Sequence, residues 1–197
     1  AENHEIHLLN NFMAQIGQKV DPEGVVQTFL ELSSELVEKK PVLFLKYLPA
    51  HSALVAAQVA QMDPEKIKNV GFSVAQIDPK ELNELFQHPE KIQQLTELMK
   101  VVFSQNEFSS LPFIYQNQVQ GVFVLFGSFK SESDQKVFES YMQLMNVRYD
   151  NAIMTKKIHE MAIKDPLTGL YNRRYFNEKL DEEITRSRRT HHPLSLI

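Results

Sequence analysis

A chain of 197 residues with 43% apolar side chains carries enough hydrophobic material for a real core in one or two domains. Its net charge of -4 provides no basic field to attract nucleic acid, and no apolar run approaches the roughly 18 residues of a membrane span. Cysteine is absent, which excludes disulfides, thiolate metal sites, cysteine nucleophiles and thioether-linked chromophores together. No charged-then-apolar leader pattern opens the chain, so a cytoplasmic protein without nucleic-acid or membrane partners is expected. The abrupt start at Ala1 and a strand-like close at Pro193–Ile197 read as part of something longer.

Ile6, Leu9, Met13, Ile16 and Val20 recur at spacings of three and four, with Leu8 and Phe12 widening the stripe; this predicts a helix from Glu5 to Lys19. His4 and His7 sit three apart on it, a spacing that suits metal, but no third ligand is near and they read as solvated. Asp21-Pro22 marks a new helix start, with Asp as N-cap and Pro at the first helical position. Val25, Val26, Phe29, Leu30, Leu32, Leu36 and Val37 make this a core helix ending near Lys39-Lys40-Pro41.

From Val42 the texture becomes β. Short apolar runs bounded by turn residues predict strands over Val42–Leu48, Ser52–Ala60 and Phe72–Ala75. A turn or short helix is expected between Asp63-Pro64 and Asn69-Val70-Gly71. Asp78-Pro79 and His88-Pro89 open two helical pieces, about Pro79–Gln87 and Pro89–Lys100; Val101–Phe103 fits helix or strand. Leu111–Gln116 and Val119–Gly127 then read as a hairpin turning at Asn117-Gln118. Both alternations of the second run are apolar, so that strand should be covered on both faces, and Gly121 marks a close approach or bulge.

This order implies an α+β fold, an antiparallel sheet with helices packed behind it. It resembles a GAF domain, the small-molecule-sensing relative of the PAS fold, on element order and on the hairpin Leu111–Tyr115 with Gln120–Gly127. The Asn-Lys-Phe-Asp-Glu set of cyclic-nucleotide-binding members is missing. The resemblance implies a pocket for an unknown small molecule; Lys46, His51 and His88 are weak candidates to face it, since a loop His beside Pro is usually solvated.

The next element is a helix from Asp134 to Lys164, free of Gly and Pro. Val137, Ser140, Leu144, Val147, Asn151, Met154, Ile158 and Met161 alternate at three and four, a heptad seam that predicts a parallel homodimeric stalk. Asn151 in a core register could bond its symmetry mate and set register. A second stripe, Phe138, Met142, Met145, Tyr149 and Ala152, is left to pack on the parent domain. The alternative is one amphipathic helix lying on its own domain.

Asp165-Pro166 ends that helix, Thr168-Gly169 supplies a turn, and Asn172 caps a last helix reaching about Arg189. Asp165 could pair with Arg173 or Arg174 across the loop. The run Asp165, Leu167, Thr168, Gly169, Leu170, Asn172, Arg173 and Arg174 resembles the opening D-x-L-T-G-L-x-N-R-R of GGDEF domains, the diguanylate cyclases, at every fixed position. The domains expected are therefore 1–133 GAF-like, 134–164 stalk, and 165–197 the truncated start of a GGDEF domain, an α/β cyclase-like fold.

The resemblance implies a parent enzyme that condenses two GTP, each with Mg²⁺ or Mn²⁺, into cyclic di-GMP and two pyrophosphates. The GG[DE]EF signature and metal carboxylates lie outside these residues, so the chain alone is expected to be inactive and to carry no cofactor. The last helix, through Phe176, Leu180 and Ile184, is expected to be poorly anchored. Arg186 falls where some members place a product-inhibitory arginine; the bland reading of the basic cluster around it is complementation of a helix C-terminus. The competing function is a parent whose GGDEF domain has lost catalysis and serves as a nucleotide receptor or scaffold.

Overall fold

The computed structural model describes residues 2–74 and 108–196, and divides into two units, Ala1–Ala152 and Ile153–Ile197. The helices expected over 79–100, with His88 and Val101–Phe103, lie outside the described residues.

In the first unit α1 (Glu2–Ile16) and α2 (Pro22–Leu36) precede β1 (Val42–Leu48), β2 (Ala53–Ala60), β3 (Gly71–Ser73), β4 (Phe108–Tyr115) and β5 (Gln118–Phe126). The strands form one antiparallel sheet in the order β3-β2-β1-β5-β4. Asp21 caps α2 as expected, its Oδ1 accepting from Gly24 N at 2.7 Å. Asp63 does the same for the 3-10 turn Pro64–Ile67, accepting from Glu65 N at 3.0 Å.

α3 (Glu132–Ile163) begins in this unit and ends in the second. Its start, two residues earlier than expected, is a reciprocal cap. Asp134 N donates to Ser131 Oγ at 3.1 Å, and that hydroxyl donates to Asp134 Oδ2 at 2.7 Å.

The sheet is buried on both faces. Phe44, Phe113, Phe123 and Leu125 join a core with α1, α2 and α3, centred on Phe12, Phe29, Phe138 and Tyr141. Leu43, Leu45, Val122, Val124 and Phe126 pack on the other face with Leu54, Ile67 and Phe72. The double alternation of β5 is thus realised, because β5 lies between β1 and β4 with apolar neighbours above and below.

Three local expectations differ. The hairpin turns at Gln116-Asn117, one residue early, and both residues take positive φ (50° and 59°), the twist that suits a two-residue hairpin. α1 stops at Ile16, and its buried side is Phe12 and Ile16 rather than the whole stripe; Ile6 and Met13 are each 52% exposed. Val137, assigned to the stalk seam, is buried in the unit's own core because it lies beside Phe138 on the side of α3 facing the sheet and helices.

In the second unit α4 (Arg173–Thr190) follows a loop after α3. Pro193–Leu196, expected as a strand, are irregular. Among the described residues of this unit no strand lies beside them to supply hydrogen bonds.

Candidate functional site

Two features of the first unit bear on α3. The first is a grip by the β4–β5 hairpin. Tyr115, the last residue of β4, donates its hydroxyl to Asp150 Oδ1, and Gln116 Nε2 donates to the same phenol oxygen at 3.0 Å. Phe113 and Tyr115 set their ring edges against Tyr149 at 4.9 and 5.5 Å between centroids. Alternate residues of an edge strand thus hold consecutive residues of the helix. Periodicity gave no sign of this pair, since Asp150 lies off both apolar stripes.

The second is a cleft of about 160 Å³ between the N-terminus of α2, the sheet and α3. Pro22, Glu23, Val26, Phe44, Lys46 and Tyr149 are among its walls. Its size is close to the ~150 Å³ cavity that admits benzene, so it suits only a small molecule. Lys46, singled out from sequence, does line it. His51 does not, and sits exposed on the 3-10 turn Pro49–His51.

The phenols here titrate late. The hydrogen bond to Asp150 pushes Tyr115 up from 10.0 to about 12. Burial, then the charge of Asp134, pushes Tyr141 up to about 12. A folded-state value above the unfolded one means stability that is complete below about pH 10 and lost as pH rises toward 12, because the unfolded chain releases those protons first. Urea midpoints should therefore fall across that window, and Tyr115→Phe should flatten the fall. A midpoint indifferent to pH there would refute the grip.

Along α3, Leu144 is partly buried against the core, whereas Val147, Met154, Ile158 and Met161 are 61%, 53%, 61% and 73% exposed. Ser140 is half-buried and Asn151 is exposed. The second stripe is the one that packs: Phe138, Met145 and Ala152 are buried, and Met142 and Tyr149 pack against the same core.

The loop after α3 is the most tightly specified polar feature of the second unit. Asp165 Oδ1 accepts from Thr168 N at 2.9 Å, Thr168 Oγ1 at 2.9 Å and Leu167 N at 3.1 Å. Those bonds, led by the Thr168 amide, hold its carboxyl below the usual range. Gly169 takes φ +72°, and Lys164 pairs with Tyr171 across the loop.

Asn172 closes the loop from three atoms. Its Oδ1 accepts from Tyr175 N at 3.0 Å, its Nδ2 donates to Ala162 O at 2.8 Å, and its N donates to Ile163 O at 2.8 Å. One side chain caps the start of α4 and the end of α3 together. The expected Asp165–arginine pair is not formed, since the carboxylate is taken by the turn. Arg174 instead reaches Ala162 O at 3.4 Å and Glu178 at 3.9 Å. Arg173 is exposed, as are Leu167 (94%) and Leu170 (70%).

Asn172→Ala should cost about 1 kcal/mol, the usual worth of a cap, and should speed amide exchange at both helix ends. Exchange that changes only at Tyr175 would mean that the bond to Ala162 holds nothing. Arg186 is exposed and pairs with Glu183 at 2.9 Å on its own helix. Among the described residues no group of three or more His, Asp or Glu is placed to hold a metal ion. Among them, too, no helix is long and apolar enough to cross a membrane.

Known proteins define the class in the same two parts. The chain is similar to the GAF domain of a phosphoenolpyruvate-protein phosphotransferase from Acinetobacter, at 12% identity and TM-score 0.55, covering 78% of this chain and 98% of that one. It is also similar to the GAF domain of a phosphoenolpyruvate-protein phosphotransferase from Coxiella burnetii, at 9% and 0.53, covering 78% and 96%. The chromophore-binding domain of an unusual bacteriophytochrome from R. palustris matches at 8% and 0.60, covering 78% of this chain but 63% of its own length, under two thirds. Identities this low show the fold, and the fold is GAF-like.

Residues 162–197 match the family model described as "Diguanylate cyclase, GGDEF domain". The chain therefore carries a GAF-like unit, a long helix and a GGDEF segment, in that order. No curated protein matches the sequence.

Proposed function

We propose that this chain is the regulatory and dimer-forming part of a cytoplasmic diguanylate cyclase, in which the GAF-like unit governs whether two cyclase domains meet. The observation that carries the proposal is the Asp165–Asn172 loop, matched by the GGDEF model and bonded to the last turn of a helix that starts in the GAF-like unit. Condensing two GTP into cyclic di-GMP needs two half-sites face to face. A paired α3 raises the effective concentration of one half-site around the other. A small molecule in the cleft beside Tyr149 would touch α3 directly and bias one stalk arrangement over another.

Assayed with GTP and Mg²⁺, the natural protein containing this chain should form cyclic di-GMP and pyrophosphate. GTP or cyclic di-GMP binding without turnover would overturn the cyclase reading in favour of a receptor. The 197-residue chain should sediment as a dimer, and Met154→Glu with Ile158→Glu should shift it to monomer. Both side chains are more than half exposed, so the fold should survive the change. A wild-type chain that stays monomeric at every concentration would remove the stalk from the mechanism.

A further inference from the structure

The cleft beside Tyr149 is shaped by an irregularity that two strands share. β2 and β5 flank β1, and each carries one extra residue beside the cleft. In β2, Gln58 faces Phe44 and Ala56 faces Leu45, so Ala57 between them has no partner in β1. In β5, Gly121 faces Phe113 and Val119 faces Ile114, so Gln120 is left without a partner in β4. Both extra residues line the cleft. A bulge bends its strand and re-aims side chains, which is why bulges gather beside binding sites. Opposite Lys46 in β5 stands Gly121, which has no side chain to cover the lysine. The cleft lies on the sheet face that carries α1, α2 and α3, since Val26 and Phe44 belong to that core.

The polar groups on its walls come from three elements and are not spent on one another. Lys46 of β1 and Glu23 in the first turn of α2 both line the cleft. Among the described residues neither side chain has an ion-pair or hydrogen-bond partner. The phenol of Tyr149 on α3 is held above the usual tyrosine range by burial and then by the charge of Glu23, so the carboxylate and the phenol are near neighbours. Gln58 and Gln120 each give an amide hydrogen to backbone, to Glu23 O at 2.8 Å and Gln118 O at 3.3 Å. That leaves their carbonyl oxygens as acceptors. Beneath these groups Val26 and Phe44 are buried and apolar.

We infer that this cleft binds a small zwitterion, an α-amino acid with a short apolar side chain. Lys46 and the Tyr149 hydroxyl supply donors for its carboxylate. Glu23 and the two amide oxygens supply acceptors for its ammonium. Val26 and Phe44 take the side chain. A ligand with only a negative charge meets Glu23, and one with only a positive charge meets Lys46. A ligand carrying both leaves neither wall charge uncompensated. A space of about 160 Å³ takes a molecule of the size of valine or leucine and excludes a nucleotide. The inference rests on the reading of the cleft as a small-molecule site and names what enters it; it does not depend on how α3 pairs.

Thermal shift and calorimetric titration of the 197-residue chain test it with L-valine and L-leucine. Isovalerate and isocaproate serve as the matching acids without the amine, and isobutylamine and isoamylamine as the matching amines without the acid. At least one of the two amino acids should raise the melting temperature at millimolar concentration, and its acid and amine counterparts should bind about tenfold more weakly or worse. Lys46→Met and Glu23→Gln should each weaken the amino acid about tenfold, with melting of the free protein unchanged because both side chains are exposed. Binding of neither amino acid overturns the inference. So does an acid or an amine that binds as tightly as its amino acid, or binding indifferent to both variants. Binding in the chain with no change in cyclic di-GMP formation by the natural protein supports the site and counts against the regulatory reading alone.

Discussion

Phe29→Ala is expected to destabilise the first unit by about 3–5 kcal/mol, the usual cost of deleting a buried phenyl ring. Phe29 is fully buried in α2 and is where the other layers converge. Its ring meets Phe123 of β5 at 4.6 Å, Phe138 of α3 at 5.5 Å and the edge of Phe12 of α1 at 6.5 Å. Truncation removes packing from sheet, α1 and α3 at once, and these elements cannot all collapse into one gap without giving up other contacts. A urea midpoint that falls sharply at constant slope is the expected reading. Because Phe138 is one of the residues that docks α3, the variant should also loosen the packing of α3 on the GAF-like unit. A loss below about 1 kcal/mol would mean that the three layers are not joined through this ring.

Gly121→Ala should cost about 3 kcal/mol by the opposite mechanism, overpacking. Gly121 lies in the middle of β5, opposite Lys46 of β1 and Phe113 of β4. An added Cβ would stand 2.2 Å from the Leu45 carbonyl oxygen and 2.6 and 2.8 Å from atoms of the Phe44 ring. The carbonyl belongs to strand backbone and cannot turn aside. The ring is held by Phe113 at 6.0 Å and Phe123 at 5.0 Å. The sheet must therefore spread at its centre, and the displacement would reach β4, whose Phe113 and Tyr115 grip α3. Low soluble yield or a melting temperature several degrees down is expected; wild-type melting would show that β1 and β5 have slack.

Local chemistry was legible from the residues. Asp21 before Pro22 and Asn172 before Arg173 each cap the helix that was expected, because a cap is decided by atoms within three residues of one another. The two apolar alternations of β5 likewise announced a strand covered on both faces. The loop at 165–172 was legible as a motif but not as a set of bonds. Opposite charges pointed to an Asp165–arginine pair, whereas the nearer amides and hydroxyl of residues 167 and 168 hold the carboxylate. Lys46 was one of three weak pocket candidates, and nothing in its neighbours said which elements would wall the cleft it lines.

For α3, the sequence by itself determined a long helix with apolar residues on more than one side, but not which of them would be covered. Either stripe satisfies the period, so the choice belongs to partners more than a hundred residues away: Phe12 and Leu8 for Tyr141, Phe29 for Phe138. Only the tertiary structure placed Val137 in the core, left Val147 and Met154 outside, and set Tyr115 against Asp150. Periodicity reports how a helix repeats along its own axis; the direction it turns is decided by the layer it packs on.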